Sequence, residues 1–248
     1  MEIDTCQNAP EGGSWFTTTQ WTVVVQAGGS SSPGAMSALT ELCRAYWYPI
    51  YAFVRRKGHS PHDAQDLTQE FFARLIEKNS VSTADRNKGR FRTFLLGALD
   101  HFLAKEWRDA RRLKRGGGRT LLSLDDASAE ERYRLEPADP ATPERLFERR
   151  WALTLLEHSL DRLGRECEAG GKRRLFESVK GLLAGERAPG GYPVLAKELG
   201  MSEGALMTAV HRLRRRYGNL LRDEIARTVS GPDEIEAELR QLFAALGS

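Results

Sequence analysis

The stretch that decides the fold is Tyr192–Tyr217, YPVLAKELGMSEGALMTAVHRLRRRY. Pro193 stands where the first turn of a helix tolerates a missing N–H. Leu195 and Leu199 lie one turn apart and face inward, and Ala196 is small where a second helix must approach. Gly200 suits the left-handed residue that ends a helix. Met201 can plug the turn, and Ser202 suits the N-cap of the next helix. Leu206, Val210 and Leu213 then return to the core at spacings of four and three. This is the pattern of a helix-turn-helix, whose second helix enters the major groove and reads bases with its N-terminal residues. Its outward positions are Glu203, Ala205, Met207, Thr208, His211, Arg212 and Arg215. Arg212, Arg214, Arg215, Arg216 and Arg222 meet no acid between Thr208 and Arg222. The competing reading is a basic, solvated helix in an ordinary helical hairpin.

Outward from this segment the chain is helical in pattern. Apolar residues recur by threes and fours over 35–57, 62–78 and 91–113, and again over 144–168, 172–184, 193–199 and 202–222. Pro49 falls inside the first pattern, and Gly164 is read as an interruption of the fourth. A short amphipathic segment, 233–246, closes the chain. The only β-branched cluster, Thr22–Val25, reads as a short first helix near 18–27 or an isolated strand. Residues 123–143 hold three prolines, several acids and little periodicity, so they read as a linker. The expectation is an all-α fold: two small helical domains joined by an acidic linker, the second ending in a helix-turn-helix. The divisions are an N-terminal extension 1–34, a first domain 35–115, a flexible linker 116–143, a second domain 144–228 and an amphipathic tail 229–248.

At 248 residues the chain can bury a core without disulfides or a structural metal. Three cysteines, widely spaced and odd in number, fit a reducing compartment. No apolar run approaches the ~20 residues of a membrane span, and the first residues lack the basic start and apolar stretch of a signal peptide. A cytoplasmic protein is expected. Lys and Arg number 37 against 34 Asp and Glu, a net charge of +3 that by itself does not point to nucleic acid.

Charge is nevertheless segregated. From Arg86 to Arg119 there are 11 Lys or Arg and 3 Asp or Glu. His101, Lys105, Arg108 and Arg112 share the face opposite the apolar stripe, a cationic row suited to a phosphate backbone. Aromatics interleave at Phe91, Phe94, Phe102 and Trp107; cations with aromatics suit single-stranded nucleic acid, although the three phenylalanines lie on the core stripe. Asp63, Asp66 and Glu70, with Gln65 and Gln69 beside them, form an acidic face. That face can meet a basic protein surface or simply be a solvated helix start. His59 and His62 make a poor metal pair because no other ligand cluster is evident.

Taken together these motifs resemble a bacterial RNA polymerase sigma factor of the extracytoplasmic-function (ECF) type. HDAQDLTQEFFARL at 62–75 resembles the family's core-binding helix, DRNKGRFRTFL at 85–95 its promoter-melting loop and helix entry, and 192–217 its final helix-turn-helix. The start, FTTTQWTVVV, and the tail, ELRQLFAAL, are similar to a subgroup with extensions. The resemblance implies that Asp63, Gln65, Asp66, Gln69 and Glu70 dock on core RNA polymerase. It implies that Asp85, Arg86, Asn87, Lys88 and Arg90 receive a flipped base of the −10 element. Arg92, His101, Lys105, Arg108 and Arg112 would follow that element's non-template strand and the adjoining duplex. Ser202, Glu203, Ala205, Thr208, His211, Arg212, Arg215 and Arg216 would contact duplex −35 DNA. The linker, net −5 over 120–148, would thread the polymerase. Gln65, Phe94, Met207 and Ala209 depart from the family pattern. An anti-sigma factor or a Ser/Thr kinase is the implied regulatory partner; phosphate on Thr68 would add negative charge facing the polymerase, against the plainer reading of an ordinary helix residue.

No enzyme is expected. Gly116–Gly118 lacks the Lys-Ser/Thr and preceding strand of a phosphate loop, and no nucleophile–base set, cofactor site or metal site follows from spacing. The rival reading is a stand-alone helix-turn-helix regulator, which explains 192–217 but neither the basic helix nor the acidic face.

Overall fold

In the computed structural model, the described residues are 33–77, 91–110, 126–134, 142–187, 190–229 and 231–247. Among them nine α-helices occur and no strand. They are α1 Pro33–Arg56, α2 Pro61–Glu77, α3 Phe91–Ala110, α4 Asp126–Arg134, α5 Pro143–Ala169, α6 Arg173–Leu183, α7 Gly191–Leu199, α8 Glu203–Ala226 and α9 Ile235–Leu246. The expected segments near 18–27, at 85–90 and at 112–125 lie outside the described residues.

Local chemistry sets the ends of these helices. Gly58, at φ 95°, turns the chain out of α1. Ser60 Oγ then accepts the Asp63 N–H at 3.1 Å and starts α2. Thr142 Oγ1 accepts the Arg145 N–H at 3.3 Å, and Pro143 opens α5. α5 runs through Gly164 without interruption. The reason is packing: a Cβ at Gly164 would lie 3.0 Å from the ring of Phe176 on α6. This glycine admits a neighbouring helix rather than breaking its own.

One buried cluster joins the two halves of the chain. Tyr46, Ile50, Phe53 and Val54 of α1, Phe71 and Phe72 of α2, and Phe91, Leu95 and Leu99 of α3 meet Phe147, Trp151 and Leu155 of α5. Leu221 and Ile225 of α8 and Ile235, Leu239 and Leu242 of α9 complete it. The cluster thus draws on helices from both sides of the expected linker. A smaller cluster, Val179, Leu182, Ala196, Leu206 and Val210, holds α6, α7 and α8 together.

The linker also differs from expectation. Asp126–Arg134 is helical and fastened to α1. Tyr51 Oη donates to Glu130 at 2.6 Å, and Arg55 donates to the same carboxylate through Nε at 2.9 Å and Nη2 at 3.0 Å. Arg132 lies 4.4 Å over the Tyr48 ring and donates to Glu157 of α5 at 2.8 Å. Polar pairing docks this helix together with buried Ala129 and the Tyr51–Tyr133 ring contact.

Candidate polymerase and promoter interface

α2 buries Ala64, Thr68, Phe71, Phe72 and Leu75, which turns its acidic residues outward. Asp63 and Asp66 are exposed, and Gln65, Gln69 and Glu70 are half-buried. His62 Nδ1 lies 3.2 Å from Asp66 Oδ2. Glu70 is occupied: Arg74 Nε donates to it at 2.6 Å, and Arg74 reaches Glu106 of α3 at 2.6 Å. The exposed carboxylates of this face are therefore Asp63 and Asp66, the first accepting the Ser60 hydroxyl at 2.7 Å and the second beside His62. Thr68 does not face outward as expected. It is fully buried, and its hydroxyl donates to the Ala64 carbonyl at 2.7 Å.

α3 packs Phe91, Leu95, Leu99 and Phe102 inward. His101, Lys105 and Arg108 share its exposed face with Trp107, which is 59% exposed. Arg108 Nε donates back to the Ala104 carbonyl at 3.1 Å, which steadies the side chain. Arg92 stands apart from this row. It is buried at 4% exposure and held by Glu238 of α9, whose Oε1 lies 2.7 Å from Nε. Its Nη2 also donates to Glu238 Oε2 at 3.2 Å. Glu148 and Gln241 hold the same guanidinium, which lies 4.4 Å over the Trp151 ring. The expected strand contact by Arg92 is thus not available in this arrangement, because its charge is spent inside the protein. Asp85, Arg86, Asn87, Lys88, Arg90 and Arg112 lie outside the described residues.

The segment 191–226 forms two helices around a tight turn. Gly200 is left-handed at φ 67°, ψ 31°, and its N–H and that of Met201 satisfy the carbonyls of Lys197 and Ala196. Ser202 Oγ accepts the Ala205 N–H at 3.2 Å and starts α8. Leu206 and Val210 are buried, so Ser202, Glu203, Ala205, Thr208, His211, Arg212 and Arg215 are left exposed. Thr208 donates to the Gly204 carbonyl at 2.9 Å. Two further arginines of the cluster are exposed but already partnered within the protein. Arg214 donates to the Leu182 carbonyl at 3.1 Å. Arg216 makes two 2.7 Å hydrogen bonds to Glu166 of α5, which hold that carboxyl below its ordinary range and push the guanidinium up. Arg216, expected at the −35 duplex, is therefore a fastener between α8 and α5.

Sequence reading missed two groups, the Glu130–Tyr51–Arg55 knot and Glu238. Among the described residues no helix is long and apolar enough to cross a membrane.

Residues 42–113 match the Sigma-70 region 2 family. They contain the acidic face of α2 and the cationic face of α3. The chain carries a sigma-70 region 2 domain over these residues, which implies a sigma factor that binds core RNA polymerase and melts the −10 promoter element. No curated protein and no solved structure gives a match to the chain.

Proposed function

We propose that this sigma factor is of the ECF type and divides its work among three helices. Asp63 and Asp66, flanked by Gln65, Gln69 and Glu70, dock on core polymerase. His101, Lys105 and Arg108 follow the −10 non-template strand, with Asp85–Arg90 and Arg112 as further contacts. α7 and α8 form a helix-turn-helix that reads the −35 duplex through Ser202, Glu203, Ala205, Thr208, His211, Arg212 and Arg215. The carrying observation is the row on α8: His211, Arg212 and Arg215 are exposed and make no ion pair with a described residue, whereas Arg214 and Arg216, also exposed, are engaged by the Leu182 carbonyl and Glu166. Cations left unneutralised on a rigid helix behind a tight turn fit a groove lined with phosphates. In the same reading the acidic linker follows the polymerase interior once α4 leaves α1. An anti-sigma factor or a Ser/Thr kinase is the regulatory partner, and a kinase would act on a residue other than buried Thr68.

The test pairs core polymerase with the full chain and selects promoters from a randomised template library. Enriched templates are expected to carry two separated elements, the upstream one protected in footprints. Arg212→Ala with Arg215→Ala should abolish upstream protection while core binding persists. Enrichment of a single element, bound equally well without polymerase, would sink this reading in favour of a stand-alone regulator.

A further inference from the structure

The helix expected to follow the −10 strand begins with a guanidinium that cannot reach it. Arg92 is 4% exposed and Glu238, its main partner, is 1% exposed. The Nε–Oε1 approach of 2.7 Å is an ion-pair contact rather than an aligned hydrogen bond; the aligned bond runs from Nη2 to Oε2 at 3.2 Å. Gln241 adds a second acceptor from α9, and Glu148 adds one from α5. Around this knot Ile235, Leu239 and Leu242 share a core with Phe91, Leu95 and Leu99. Packing alone does not ask for charge here, since buried ion pairs are commonly matched in stability by apolar residues of similar volume. What a charge pair adds is exchangeability. A guanidinium that leaves one oxyanion can bind another, and phosphate is among its best partners.

We infer that α9 is an autoinhibitory latch. Glu238 and Gln241 occupy Arg92 and hold α3 in the shared core, and the −10 phosphate backbone competes for the same guanidinium. This rests on the reading of α3 as the −10 strand helix. Asp63 and Asp66 stay exposed in the latched form, so polymerase is met first and the strand is captured after release.

The experiment uses the full chain, core polymerase and a promoter selected as above. Glu238→Gln keeps the shape and removes the charge. It should leave core binding within about twofold and raise open-complex formation, read by permanganate reactivity of unpaired thymines, about tenfold. Arg92→Gln should lower open-complex formation, and the double variant should show no gain. Amide exchange on the wild-type chain needs no variant: the Ile235–Leu246 segment should lose protection on passing from free protein to open complex. Unchanged protection, or no gain in Glu238→Gln while Arg92→Gln is impaired, overturns the latch and leaves the −10 assignment standing. Full open-complex formation by Arg92→Gln overturns the −10 role of Arg92, and the latch with it.

Discussion

The Glu130 knot supports a quantitative prediction. One carboxylate takes the Tyr51 hydroxyl at 2.6 Å and two Arg55 donors at 2.9 and 3.0 Å, and the ion-pair side chains are only 17% and 18% exposed. Charge-assisted hydrogen bonds contribute about 1.5–3 kcal/mol each when one partner is removed. Because these bonds share one acceptor group and retain some solvent, Glu130→Ala should cost about 3 kcal/mol in all. Arg55→Ala alone would confound the reading, since Arg55 also lies 4.8 Å over the Tyr133 ring and donates to the His59 carbonyl. The clean quantity is the coupling in an Arg55/Glu130 double-mutant cycle, expected near 2 kcal/mol, that is about 2 of the 3. Hydrogen bonding from Arg55 holds the Glu130 carboxyl below its ordinary range. Its contribution is therefore complete above the unfolded value of about 4.3 and is lost as pH falls through the lower folded value. Burial, then the Glu130 bond, pushes the Tyr51 hydroxyl up; that contribution is complete below the ordinary tyrosine value and lost only as pH rises through the folded one. Acid lability thus belongs to Glu130. Urea unfolding of wild type and Glu130→Gln, followed by circular dichroism from about pH 7 to about pH 3, should show the stability gap closing toward acid. A coupling below about 0.5 kcal/mol, or a gap that persists in acid, refutes the reasoning.

Asp63→Lys with Asp66→Lys should weaken core polymerase binding at least about tenfold while lowering stability by only about 1 kcal/mol through lost first-turn charge, because both side chains are exposed and reversal sets like charges against a basic surface. Gly200→Ala should destabilise by about 1 kcal/mol in thermal unfolding, through backbone strain alone; φ is 67° and no atom lies within 4 Å of the added Cβ. Ser202→Ala should cost about 1 kcal/mol by loss of the N-cap bond. In −35 binding, Arg215→Ala should reduce the salt-dependence slope by about 1. Arg216→Ala should instead lower stability, since its two bonds go to Glu166.

Helix positions and the turn at Gly200 are legible in the sequence because they depend on neighbours three or four residues away. The burial of Arg92 and Thr68 is written in the apolar stripes as well. Arg92 lies at i−3, i−4 and i−7 from Leu95, Leu96 and Leu99, and Thr68 lies four residues from Ala64 and Phe72. Both sit on apolar stripes, where a polar side chain is buried whatever its chemistry suggests. Glu238, flanked by Ile235, Leu239 and Leu242, sits on the complementary stripe of α9. An arginine on one stripe and a glutamate on another is a pairing signal, but no periodicity says that residues 92 and 238 meet. α4 is illegible for a different reason: DASAEERYR has almost no apolar pattern, and its helix is held by Glu130, Arg132 and Tyr133 reaching across to α1.

The net charge of +3 acquires meaning from this division of partners. On the two helices proposed to face DNA, some arginines are neutralised within the protein: buried Arg92 by Glu148 and Glu238, exposed Arg216 by Glu166. Cations on the outer side, Lys105 and Arg108 on α3 and Arg212 and Arg215 on α8, have no described acid against them. α5 supplies an acid to each helix, one near each of its ends, so a single helix sets both which arginines are consumed and how α3 and α8 are tied. Neutralising one of those acids, Glu148 or Glu166, should loosen one tie while leaving the other intact. Under the proposed function the two ties separate −10 from −35 recognition: loss of the first should act on strand capture, loss of the second on duplex recognition.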